Sequence, residues 1–121
     1  MSPAGHILFI DDDESIREFV SMALTDEGYE VTTAPHGAAA LDLIKRGQPN
    51  LILLDMRMPV MDGWAFLKAY DNTPQPHAPI IALTASRNAP DTQVPSEVSG
   101  FLAKPFDLND LIALIVQHLD H

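Results

Sequence analysis

Leu51-Ile52-Leu53-Leu54-Asp55-Met56-Arg57-Met58-Pro59 runs from four apolar side chains into one carboxylate and then a turn ending in proline. Apolar continuity over so short a run, without the polar alternation of a half-solvated strand, marks a strand buried on both faces, as in a parallel sheet covered by helices. A charge at the carboxyl end of such a strand is expelled from the core into the crevice where open parallel sheets bind ligands. Asp55 is therefore the first candidate functional residue.

Outward from this strand, short apolar runs at His6 to Ile10, Tyr29 to Thr33, Asn50 to Leu54, Pro79 to Leu83 and Gly100 to Ala103 alternate with longer segments of helical spacing. In the first of these segments Ile16, Phe19, Val20, Ala23 and Leu24 recur on one stripe, with Ser15 placed to cap its start and Gly28 to end it. Gly37 to Arg46 carries Ala38, Leu41 and Ile44 and closes at Gly47. A third helix begins near Asp62-Gly63 and buries Phe66 and Leu67, with Trp64 packed at its start. Asp107 precedes the stripe Leu108, Leu111, Ile112, Ile115 and Leu119. Between Ala85 and Gly100, Pro90 and Pro95 stand five residues apart. An interior proline costs a helix about 3 kcal/mol or more, so the fourth helix is expected to be short or irregular. Alternating strands and helices predict an α/β fold, a single doubly wound five-stranded parallel sheet with all strand carboxyl ends at one edge. No repeat or linker interrupts it, and one domain is expected over residues 1–121, with its core at about 6–120.

Seven basic against 17 acidic residues give a formal charge of −10, which repels a phosphate backbone and argues against direct nucleic-acid binding. There is no cysteine, hence no disulfide framework or thiolate metal site. No segment approaches membrane-spanning length and the N-terminus lacks a signal pattern, so a soluble cytoplasmic protein is expected. The five histidines show no ligand spacing, and His118 and His121 near the chain end read as solvated.

The sheet edge gathers Asp11-Asp12-Asp13-Glu14 after the first strand, Asp55 after the third, Thr84 after the fourth and Lys104-Pro105 after the fifth. Were Asp12 and Asp55 about 4 Å apart, their repulsion at an effective dielectric near 20 would be about 4 kcal/mol. Lys104 offsets part of that. Oxygen donors without His or Cys suit a hard divalent ion, Mg2+ first and Mn2+ as a substitute.

Taken in order, Ile7-Leu8-Phe9-Ile10-Asp11-Asp12-Asp13, Leu54-Asp55-Met56-Arg57-Met58-Pro59, Met61-Asp62-Gly63, Leu83-Thr84-Ala85 and Phe101-Leu102-Ala103-Lys104-Pro105-Phe106 resemble the response-regulator receiver domains of two-component signalling. The resemblance implies a flavodoxin-like sheet of order 2-1-3-4-5. It implies that Asp55 accepts a phosphoryl group from a sensor histidine kinase or histidine phosphotransfer protein. Asp12 and Asp55 would bind Mg2+ directly, Asp11 through water, and Arg57 through its backbone carbonyl. Lys104 and Thr84 would contact the phosphoryl group, and Phe101 would be the aromatic switch that moves with Thr84. Lys104-Pro105 would be a cis peptide, and Arg57 and Ser86 would tune phosphate lifetime. The partner downstream would be a protein target or an output domain absent from this chain, with no membrane partner and a monomer or weak dimer as the oligomeric state.

Residue by residue, plainer readings stand beside these. Asp11 to Asp13 fit a solvated turn at a helix start, Asp55 a strand-end turn residue, and Lys104 a surface lysine. Phe101 fits a core aromatic as well as a switch. At the level of function, the receiver reading has three competitors. One is a phosphorylation-independent receiver-like binding module. Asp11-x-Asp13 after a first strand also fits an aspartate-nucleophile phosphatase, and the topology also serves flavin carriers. An acidic loop after the first strand opposes the last, because that loop must cradle an anionic phosphate.

Overall fold

The computed structural model describes residues 5–56, 63–73, 77–84, 98–103 and 106–119. The chain forms β1 (His6–Ile10), α1 (Glu14–Asp26), β2 (Glu30–Ala34), α2 (Gly37–Arg46), β3 (Leu51–Asp55), α3 (Gly63–Asp71), β4 (Ile80–Thr84), β5 (Gly100–Ala103) and α4 (Leu108–Leu119). All strand pairs are parallel and the sheet order is β2-β1-β3-β4-β5. The expected doubly wound sheet is thus the observed one, with four helices among the described residues. The proline-bearing segment at 85–97, where a short or irregular helix was expected, lies outside the described residues.

Strand alternation divides the core into two layers. Leu8, Ile10, Ile52, Leu54, Ile80 and Ala82 face Ala40 and Ile44 of α2 and Phe66, Leu67 and Tyr70 of α3. Ile7, Phe9, Leu51, Leu53, Ile81 and Leu83 face Val20 and Leu24 of α1 and Leu111 and Ile115 of α4. Each central strand therefore buries both of its faces, which is why its sequence runs apolar without alternation.

Three strands sit one residue further along than the apolar runs suggest. Burial marks the run, but ladder pairing sets the end: Asp55 pairs with Leu83, and Thr84 pairs with Ala103. The Met56 amide then donates to the Leu83 carbonyl at 3.1 Å. Asp55 is consequently the last residue of β3, not the first residue beyond it.

Two further differences lie in α1. The cap of α1 is Asp13, whose carboxylate accepts the Ile16 amide at 3.2 Å, and Ser15 lies inside the helix. A carboxylate at that position gains from the helix dipole as well as from the hydrogen bond. The Phe19 ring does not join the stripe that packs on the sheet; it is 60% exposed, as Met22 is at 69%. Gly28 ends α1 as expected, at φ +100°, a left-handed backbone that glycine adopts without a Cβ clash.

Candidate functional site

Two acidic side chains are buried among the described residues, Asp11 at 0% exposure and Asp55 at 4%. Both stand at the carboxyl edge of the sheet, where β1 and β3 run side by side. Asp12, exposed, completes a group in which one carboxylate oxygen from each of Asp11, Asp12 and Asp55 lies within 4.8 Å of the others. Oxygens this close repel, by about 3.5 kcal/mol for a pair at 4.8 Å and an effective dielectric near 20. Burial strengthens the Asp11–Asp55 repulsion, while water screens Asp12.

The acidic loop is held by its own backbone. The Asp11 amide donates to the Ala34 carbonyl of β2 at 3.1 Å. Its carboxylate accepts the Asp13 amide at 2.9 Å, and its carbonyl accepts the Arg17 guanidinium at 2.6 Å. With its amide, carboxylate and carbonyl all engaged, Asp11 is fixed on the β1 edge. The solvated-turn reading of this loop fits Asp12 and Asp13 and fails for Asp11.

Thr84 ends β4, next to β3 in the sheet, so its backbone reaches the same edge as Asp55. Its side chain, like that of Trp64, lies outside the described residues, as do Arg57, Ser86, Lys104 and Pro105. Phe101 lies on β5 opposite Ala82 and is 56% exposed, which overturns the core reading of this ring.

Several polar roles left no sequence signal. The Tyr70 hydroxyl donates to Gln48 Oε1 and accepts the Ala78 amide at 2.7 Å, tying α3 to the α2–β3 connection and to the start of β4. Burial pushes this phenol above its ordinary pKa, opposed by the Ala78 hydrogen bond. His36 caps α2 through Nδ1, which accepts the Ala39 amide at 3.2 Å. His118 is not simply solvated: it is partly buried and its Nδ1 meets the Leu114 carbonyl at 2.8 Å. His121 lies outside the described residues.

A five-stranded 2-1-3-4-5 sheet with clustered carboxylates at the ends of its adjacent central strands defines a class, and the sequence comparison agrees with it. The chain matches the response regulator receiver domain family over residues 7–116 and belongs to that family. It is a receiver domain of two-component signalling, a regulatory module. Transcriptional regulatory protein GlrR of Escherichia coli K12 is 36% identical over 118 residues, covering 96% of this chain and 26% of GlrR. A CheY-like receiver domain protein from Methanospirillum hungatei superposes with a TM-score of 0.82 at 36% identity, covering 97% of this chain and 93% of the other. Chemotaxis response regulator CheY4 of Vibrio cholerae gives 0.83 at 36% identity, covering 93% and 96%. The chain spans about a quarter of the length of the first curated relatives it matches. Among the described residues no helix is long and apolar enough to cross a membrane.

Proposed function

We propose that Asp55 is the phosphoacceptor of this receiver domain, taking a phosphoryl group from a phosphohistidine on a sensor histidine kinase or histidine phosphotransfer protein. The observation that carries the proposal is the packing of Asp11, Asp12 and Asp55 oxygens within 4.8 Å, two of the three carboxylates being buried. Such crowding favours a compensating cation, and an all-oxygen donor set fits Mg2+. Asp12 and Asp55 would hold the ion directly with the Arg57 carbonyl, and Asp11 through water. When bound, Mg2+ supplies the positive charge that phosphoryl oxygens need in a loose transition state.

The chain's own groups do the rest. An Asp55 carboxylate oxygen attacks phosphorus, the bond from phosphorus to the imidazole nitrogen breaks, and the histidine leaves, giving an acyl phosphate. The nucleophile is a carboxylate oxygen, so transfer depends on alignment and charge neutralisation more than on an acid or base. Lys104 neutralises a phosphoryl oxygen, Thr84 donates a hydrogen bond to another, and the Arg57 side chain and Ser86 set access for the hydrolytic water. Phe101 starts exposed and turns inward when Thr84 is drawn to the phosphate. Without a phenolic hydroxyl, its coupling rests on packing. A downstream protein or an attached output domain reads the altered surface.

Incubation with acetyl phosphate and Mg2+ tests the proposal by intact mass and peptide mapping. Wild type gains one phosphoryl group on Asp55 and Asp55→Asn gains none. A label mapped to Asp11 would favour the phosphatase-type nucleophile, and no label on wild type would favour a phosphorylation-independent module.

A further inference from the structure

We propose that Arg17 is a positioning residue for the acidic pocket, fixing the loop that presents Asp11 and Asp12 to the cation; the inference rests on the metal-assisted reading above. Arg17 is the sole basic residue between Asp11 and Asp26, and it follows four consecutive carboxylates, Asp11 to Glu14. It sits in the first turn of α1, where the helix dipole disfavours a cation. The dipole opposes a charged guanidinium there, and the contact with the Asp11 carbonyl offsets that cost.

That contact is the hydrogen bond of 2.6 Å from the guanidinium to the Asp11 carbonyl, in a partly buried setting. A charged donor on a carbonyl is among the stronger hydrogen bonds, and the long Arg side chain spans back from the helix to the strand end. The Arg17 backbone amide meanwhile donates to the Asp13 carbonyl at 3.0 Å. Asp13 in turn donates its amide to the Asp11 carboxylate and accepts the Ile16 amide on its own carboxylate. One residue therefore grips the loop at Asp11 through its side chain and at Asp13 through its backbone. Asp12 lies between these two grips, so its carboxylate is presented from a segment anchored on both sides.

Charge and position make opposite demands, which makes the inference testable. Were Arg17 merely a nearby positive charge, its removal would tighten Mg2+ binding by relieving repulsion of the ion. As a positioning residue, its removal weakens binding, and losses of about 10- to 100-fold are usual for groups that orient metal ligands. Mg2+ is titrated by calorimetry into wild type, Arg17→Ala, Arg17→Lys and Arg17→Gln, with melting temperature measured on the same samples in EDTA. The expected result is a Kd raised at least about tenfold in Arg17→Ala. Arg17→Gln, which keeps a donor but no charge, should recover part of the affinity, and Arg17→Lys, which keeps both, should recover more. An unchanged or lower Kd in folded Arg17→Ala overturns the inference; should the alanine variant not fold, a Kd in Arg17→Gln equal to or below that of wild type overturns it. Failure of wild type itself to bind Mg2+ would sink the metal-assisted reading, and this inference with it.

Discussion

Replacing Asp55 by Asn should stabilise the metal-free protein, although it removes a side chain that is 4% exposed and central to the site. Asp11 and Asp55 are both buried, with oxygens no more than 4.8 Å apart, so their repulsion is about 3.5 kcal/mol at an effective dielectric near 20. Exposed Asp12 adds less than about 1 kcal/mol after solvent screening. Against this relief of about 4 kcal/mol stands the weakening of hydrogen bonds to a charged acceptor, about 1.5–3 kcal/mol. A net gain of about 2 kcal/mol remains. With an unfolding entropy near 2.1 cal/mol/K per residue, a chain of 121 residues melts about 8 °C higher for that gain. Differential scanning calorimetry and urea unfolding in EDTA at neutral pH measure it. Addition of Mg2+ at a hundredfold excess over its Kd should raise wild type by about 2.7 kcal/mol and Asp55→Asn by far less, closing the gap. An Asn variant that is equal to or weaker than wild type in EDTA would refute the electrostatic reasoning, because the carboxylates would then not be in conflict.

Three further outcomes follow from the fold. Tyr70→Phe leaves the Ala78 amide without its partner and should cost about 1–3 kcal/mol at neutral pH. Because burial raises the Tyr70 pKa, the unfolded chain ionises first, so wild-type stability should be intact below about pH 10 and fall as pH rises through the folded value. That part of the alkaline loss should vanish in Tyr70→Phe, as urea unfolding across pH would record. On α1, Leu24→Ala should cost about 2–5 kcal/mol and Phe19→Ala within about 0.5 kcal/mol, since Leu24 is fully buried and Phe19 is 60% exposed; equal losses in thermal denaturation would contradict this orientation. Gly28→Ala should cost about 1–2 kcal/mol although no atom lies within 4 Å of the added methyl, because its φ is +100°. Gly47→Ala, equally open and at φ 177°, should be neutral or gain up to about 1 kcal/mol by restricting the unfolded chain.

Much of this protein is legible in its sequence. The bounds of β1, α2 and β5 are those its apolar runs and glycines indicate, since burial and backbone freedom are properties of single residues in order. The receiver signature is likewise local: Asp11, Asp12, Asp55, Thr84 and Phe101 each follow or belong to a recognisable strand. Phe19 escaped the sequence because helical spacing says which residues share a stripe, not how wide the covering sheet is. The choice of Asp13 over Ser15 as cap depended on the Asp11 carboxylate seizing the Asp13 amide and setting where the helix could begin.

What the sequence determined by itself was the alternation of elements, the two-faced burial of the central strands and the identity of the candidate acceptor. What only tertiary structure decided was distance. Asp11 and Asp55 are 44 positions apart in the chain and become neighbours because β1 pairs with β3, in a register where Ile10 meets Leu54. One residue of slip would break that meeting and turn every side chain of the strand to the opposite face of the sheet. Arg17 belongs to the same category: its charge was visible in the sequence, but its hold on the Asp11 carbonyl exists only once α1 folds back against the strand it follows.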